Sequence, residues 1–137
     1  MIISGKNKII HYVSKTYKGK VHDFTILKQE FPYQQKWFAK FRTRLDLGFQ
    51  AIADLYTFSE LVIPHKKKRV KKGESNQLSQ EQIRYNKQVG KERIYIEHSI
   101  GGMKRYKILV YRCTLKSENT RNVIVGVCAA LWNFTIT

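Results

Sequence analysis

Glu92-Arg-Ile-Tyr-Ile-Glu-His-Ser-Ile-Gly-Gly-Met-Lys-Arg-Tyr-Lys-Ile-Leu109 sets the carboxylate of Glu97 inside a basic run with helical periodicity. Arg93 lies one turn before Glu97 and Lys104 two turns after it, so the three share one face of a helix. Ile96, Ile100 and Met103 form a neighbouring apolar stripe that can anchor that helix to a core. A carboxylate held among cations on an anchored helix suits a metal ligand in a site that handles phosphate. The plainer alternative is a surface ion pair between Arg93 and Glu97, which is common and weak.

Upstream, Ser79-x-x-Gln82 has the form of a capping box and predicts that this helix opens there and runs to about Lys104. Gly90, Gly101 and Gly102 either weaken it or permit close backbone approach. Nearer the start of the chain, Ile2-Ile3-Ser4 and Ile9 to Ser14 flank the turn Gly5-Lys-Asn-Lys8 and predict a hairpin. Asp23 is placed as an N-cap, with Phe24, Leu27 and Phe31 as the apolar face of a helix that Pro32 ends. Arg42 to Asp46 reads as a strand closed by Leu47-Gly-Phe49, Asp54 to Ser59 as a helical turn, and Leu61-Val-Ile63 as a short strand stopped by Pro64. Tyr106 to Tyr111 reads as extended. Glu118 to Phe134 reads as a helix whose apolar face is Val123, Val127, Ala130, Leu131 and Phe134. Alternating strands and helices around a small mixed sheet make this an α/β chain.

The chain has 137 residues, the size of one domain, with a basic insert loop at about 65–77. It is 42% hydrophobic and 12% aromatic, which suits a packed core and excludes a disordered basic tail. Its formal net charge of +16 attracts polyanions, nucleic acid first. No apolar run is long enough to span a bilayer and none resembles a signal segment, so no membrane partner and a cytoplasmic location are expected. Cys113 and Cys128 have neither zinc spacing nor the numbers of a disulfide framework, and both are expected to be reduced. Lys66-Lys-Lys-Arg-Val-Lys-Lys72 supplies Lys66, Lys67, Lys68, Arg69, Lys71 and Lys72 as candidate phosphate contacts, against the alternative of a solvated insert. Arg93, Lys104, Arg105 and Lys107 make a second candidate patch. Trp37, Phe38 and Phe41, set among Lys36 and Lys40, can stack on unpaired bases, but core packing is the favoured reading for them, as it is for Trp132.

Three pieces then fall into order: Gly19-x-x-His22-Asp23, Asp46-Leu-Gly-Phe-Gln50, and Arg93-x-x-x-Glu97 with Lys104. Together they resemble the carboxyl-terminal part of the DDE-superfamily transposases of bacterial insertion sequences, and Ala129-Ala-Leu-Trp-Asn133 looks like that family's final helix. The resemblance covers essentially the whole chain. It implies a ribonuclease H-like core with a small mixed sheet and flanking helices. It also implies DNA as partner, Mg²⁺ or Mn²⁺ as cofactor, and Asp46 and Glu97 as two of three acidic ligands. Phosphodiester cleavage and joining is an in-line displacement assisted by two divalent cations, so the chemistry wants acids inside a positive surface. For Asp46 the competing reading is an Asp-x-Gly turn. His22 and Asp23 match the family's Gly-x-x-His-Asp and are assigned supporting roles, Asp23 more readily as a cap than as a substitute ligand.

The family's first catalytic aspartate lies upstream of the segment that aligns with Met1. The expectation is therefore an amino-terminally truncated catalytic domain, binding DNA and weakly binding metal, and cutting poorly alone. Its partners would be further copies in a homo-oligomer, or an amino-terminal transposase polypeptide that supplies the missing acid. The alternative is a non-catalytic basic DNA-binding module, which would be indifferent to loss of Asp46 or Glu97. An RNA-binding protein fits the charge but not the acidic motifs.

Overall fold

The computed structural model describes residues 1–67, 77–111 and 114–137. These form a mixed α/β structure with small sheets. The order is β1 (Ile2–Ser4), β2 (Ile10–Val13), α1 (Asp23–Glu30), β3 (Arg42–Arg44), a 3₁₀ segment (Leu47–Asp54), β4 (Glu60–Val62), α2 (Gln80–Met103), a 3₁₀ turn (Lys107–Leu109) and α3 (Glu118–Ile136). Among the described residues the strands make two separate pairs, β1–β2 antiparallel and β3–β4 parallel, where the sequence suggests one mixed sheet. The chain divides into two compact units, 1–22 with 94–137, and 23–93; the boundary falls within α2.

In the first unit the predicted hairpin forms, with Ile2 opposite Val13 and a register shift after Ile3. Lys8 in its turn has φ 66°, a left-handed conformation that costs a lysine free energy. Two hydrogen bonds hold that peptide: Ser99 Oγ and Trp132 Nε1 both donate to the Lys8 carbonyl, at 2.9 and 3.0 Å. The core is Ile10, Met103, Cys128, Ala129 and Trp132, with Val13, Tyr106, Ile124 and Val125 packed against it. The Asn133 amide acts as a short stretch of strand edge, accepting from Ile10 N at 2.8 Å and donating to Ile10 O at 2.9 Å.

α3 forms where predicted, yet it buries the other face. Val123, Val127, Leu131 and Phe134 are exposed, Phe134 by 84%, while Cys128, Ala129 and Trp132 are buried. From Asn122 to Ile136 the helix carries no charge and is apolar nearly all round, so periodicity does not choose a side. The side is chosen by Trp132 and Asn133, whose polar groups meet the hairpin backbone. Anchoring of α2 also shifts by part of a turn. Ser99 and Met103 are buried and Ile100 is exposed, and Gly102 supplies the close approach. A Cβ on Gly102 would lie 2.5 Å from Trp132 Cδ2, whereas nothing lies within 4 Å of one on Gly101 or Gly90. Tyr106 to Tyr111, expected to be extended, contains the 3₁₀ turn Lys107–Leu109 instead.

In the second unit α1 ends before Pro32, as expected, and buries Ile26 and Leu27 against the 3₁₀ segment that buries Phe49 and Ile52. Asp23 is the first residue of α1, a position that favours an acid through the helix dipole. The helical turn expected at Asp54 to Ser59 comes earlier, at Leu47–Asp54, because Asp46 caps it directly after β3. The capping box at the start of α2 is complete: Ser79 N donates to Gln82 Oε1 at 3.0 Å and Gln82 N to Ser79 Oγ at 3.2 Å. Tyr56, 6% exposed, donates its hydroxyl proton to Phe31 O at 2.6 Å beneath Phe38 and Phe58.

Candidate functional site

Asp46 stands at the exit of β3. Its backbone is extended (φ −84°, ψ 168°) and its Oδ1 accepts from Leu47 N at 2.7 Å, so the carboxylate opens the 3₁₀ segment. Arg93 Nη1, on α2, donates to the same oxygen at 3.0 Å. Both bonds fall on Oδ1, and among the described residues none reaches Oδ2. Half the side chain remains exposed, at 53%. The Asp-x-Gly turn and the ligand reading are therefore compatible: one oxygen caps and pairs, and no hydrogen bond among the described residues takes up the other.

The neighbouring pair has the opposite polarity. Arg44 Nε meets Glu92 Oε2, and Arg42 bonds Glu60 at 2.8 Å with Glu92 4.0 Å away. Two strand-spaced residues, Arg44 and Asp46, thus meet two successive helix residues, Glu92 and Arg93, with signs exchanged. Surface pairs of this kind are individually worth little, but the alternation penalises a register slip, which would bring like charges together. The Arg93 guanidinium holds a strand-end carboxylate, a partner that spacing along α2 does not suggest. The signal that could have revealed it is the complementarity of Arg44-x-Asp46 with Glu92-Arg93.

In the other unit Glu97 is exposed on α2. Lys104, Arg105 and Lys107 are exposed at and beyond the end of that helix. The Arg105 guanidinium lies over the Trp132 ring, 5.7 Å from its centroid, which orders the cation without neutralising it. Of the basic run, Lys66 and Lys67 are exposed after Pro64. Lys68, Arg69, Lys71 and Lys72 lie outside the described residues, as does Cys113. His22 and Asp23 are exposed at the start of α1. Cys128 is buried, and burial pushes its thiol above the usual range, so it packs rather than reacts.

A divalent cation implied by the motif resemblance would need hard oxygen donors. Asp46 Oδ2 and the Glu97 carboxylate are of that type, and Mg²⁺ sites use one or two carboxylates with water and phosphate oxygens. Among the described residues no three His, Cys, Asp or Glu side chains gather into a set that could hold a metal ion. Each of the two acids, taken by itself, is a donor of the right type. Among the described residues no helix is long and apolar enough to cross a membrane.

Against known proteins, the chain is 30% identical over 113 residues to a probable transposase for insertion sequence element IS702 from Microchaete diplosiphon. That match takes in 80% of this chain and 37% of the relative, so the chain spans little more than a third of the relative's length. No solved structure matches it. The family model described as DDE superfamily endonuclease matches residues 1–133, and the chain belongs to that family.

Proposed function

We propose that this chain is the carboxyl-terminal part of a DNA transposase catalytic domain of ribonuclease H-like type, which cleaves and joins DNA phosphodiesters by two-metal in-line displacement. The observation that carries the reading is Asp46. It is a half-exposed carboxylate at a strand exit, held through one oxygen by Arg93, in a family of endonucleases. Asp46 and Glu97 would hold Mg²⁺ or Mn²⁺. When bound, such an ion supplies charge stabilisation at the attacking and leaving oxygens. Arg93 fixes the Asp46 carboxylate in one rotamer and offsets its charge against an incoming phosphate. Lys66 to Lys72, Lys104, Arg105 and Lys107 neutralise the DNA backbone, which gives affinity without reading sequence. The third acid of the family set would come from a further polypeptide segment. A second reading, a basic DNA-binding module without catalysis, draws on the same +16 charge.

Manganese binding separates the two. Free Mn²⁺ is measured by electron paramagnetic resonance in the presence of chain and plasmid. The wild type should take up Mn²⁺ weakly, and Asp46→Asn or Glu97→Gln should weaken uptake by about tenfold or more, at least the cost of losing a group that only orients a ligand. Uptake indifferent to both substitutions, with plasmid still bound, would leave only the binding module.

A further inference from the structure

Loop 32–41 of the second unit leaves three of its four aromatic residues exposed, Tyr33, Trp37 and Phe41. Phe38 lies inward, with ring contacts to Phe31 (5.4 Å), Tyr56 (5.7 Å) and Phe58 (5.7 Å). Trp37 does not follow it. Its indole Nε1 donates to Pro32 O at 3.0 Å and its ring meets Phe31 edge-on at 5.5 Å, yet 41% of the residue is exposed. Phe41 is 61% exposed and has no ring contact among the described residues. Lys36 and Lys40 are exposed between and beside them, neither in an ion pair among the described residues. The expectation that Trp37 and Phe41 are core residues is overturned. The loop is anchored by Phe31 and Phe38, and the hydrogen bond to Pro32 O fixes the indole.

We propose that this loop binds unpaired nucleotides of single-stranded DNA, with Trp37 and Phe41 stacking on bases and Lys36 and Lys40 on the flanking phosphates. An aromatic ring already locked by a hydrogen bond and an edge contact loses little entropy when a base lies on it. The face of a base is available only where it is out of the duplex, because neighbouring pairs cover it otherwise, so the ligand is the single strand. A net charge of +16 supplies the attraction to the polyanion, and two loop cations beside the rings direct it there. The choice of DNA as polymer rests on the function proposed above; the stacking site itself rests on the loop.

The test uses the whole chain, oligo(dT), oligo(U) and a blunt duplex. The two tryptophans differ in exposure, Trp37 at 41% and Trp132 at 7%, so fluorescence quenching by a nucleic acid reports mainly Trp37. Oligo(dT) should quench the wild type. Trp37→Ala should weaken oligo(dT) binding, read by anisotropy of an end-labelled oligo(dT), by roughly 5-fold to 150-fold, the range for loss of one base stack. Phe41→Ala, at a ring that touches no other ring among the described residues, should do the same and guards against a folding defect in the first variant. Neither should change duplex affinity. Lys36→Gln with Lys40→Gln should lower the logarithmic salt slope for oligo(dT) by about 1.4, about 0.7 for each phosphate no longer neutralised. Absence of quenching, or oligo(dT) affinity unchanged in both aromatic variants, overturns the site even if duplex binding persists. Quenching and variant sensitivity without duplex binding uphold the site and count against the transposase reading instead. Tighter binding of oligo(U) than oligo(dT) would assign the loop to RNA and overturn the DNA proposal.

Discussion

Replacing Gly102 by alanine tests whether the contact between α2 and α3 in the first unit is built on one missing Cβ. The new carbon would lie 2.5 Å from Trp132 Cδ2 and nearer still to two other ring atoms. The ring has little freedom to retreat, since it is 7% exposed, its Nε1 bonds Lys8 O at 3.0 Å, and Met103, Cys128 and Ala129 share its core. Alanine in place of glycine inside a helix gains about 1 kcal/mol of propensity. Against that, overpacking costs about 1–3 kcal/mol. A displaced indole also loses a hydrogen bond worth about 1 kcal/mol. The expected net is a loss of about 1–3 kcal/mol. Gly101→Ala keeps the gain without the clash and should stabilise by up to about 1 kcal/mol, since nothing lies within 4 Å of its Cβ. The two variants, one residue apart, should therefore differ by about 2–4 kcal/mol. At about 3–5 °C per kcal/mol for a chain of this size, thermal melts resolve the difference. Near-ultraviolet circular dichroism would follow the indole. Equal stability of the two variants, with an unchanged tryptophan signal, would refute the packing argument.

The face chosen by α3 makes a second prediction: Phe134→Gln, at a residue 84% exposed, should stay within about 0.5 kcal/mol of wild type in urea denaturation, whereas Trp132→Ala should cost about 3–5 kcal/mol. The reverse ranking would restore the face that periodicity suggests. Tyr56 makes a third: burial pushes its hydroxyl above the ordinary value of 10.0, so its contribution is fully present below pH 10 and is lost as pH rises through the folded value. Tyr56→Phe should be less stable near neutrality by about 1 kcal/mol, from the missing bond to Phe31 O, and should lose less stability than wild type between pH 10 and 12. Parallel alkaline profiles for the two proteins would remove Tyr56 from the account.

Much of the local structure is legible in the chain because its causes are local. The Ser79/Gln82 capping box, the hairpin around Gly5 and Asn7, and the stop at Pro32 all act within four or five residues, and each forms where the sequence predicts it. The family is legible for a similar reason: the spacing within Asp46-Leu-Gly-Phe-Gln50 and Arg93 to Lys104 survives without any knowledge of contacts. The 3₁₀ segment at Leu47–Asp54 starts earlier than the sequence suggests, because the Asp46 carboxylate that seems to end a strand is also the cap that starts the next element.

What the tertiary structure decided are the choices among equivalent local options. α3 is apolar on nearly every side, so its period is silent about which side is core; the indole N–H of Trp132 and the amide of Asn133 need partners when buried, and the hairpin backbone has them at Lys8 and Ile10. Arg93 meets an acid 47 residues away, Asp46, which spacing along α2 does not suggest, because β3 ends beside it. Loop 32–41 carries four large aromatics, and the space beneath it admits Phe38 but leaves Tyr33, Trp37 and Phe41 outside. Helix, strand and motif follow from neighbours along the chain; the buried face, the ion-pair partner and the exposed ring follow from which polar groups must be satisfied and how much volume the core can hold.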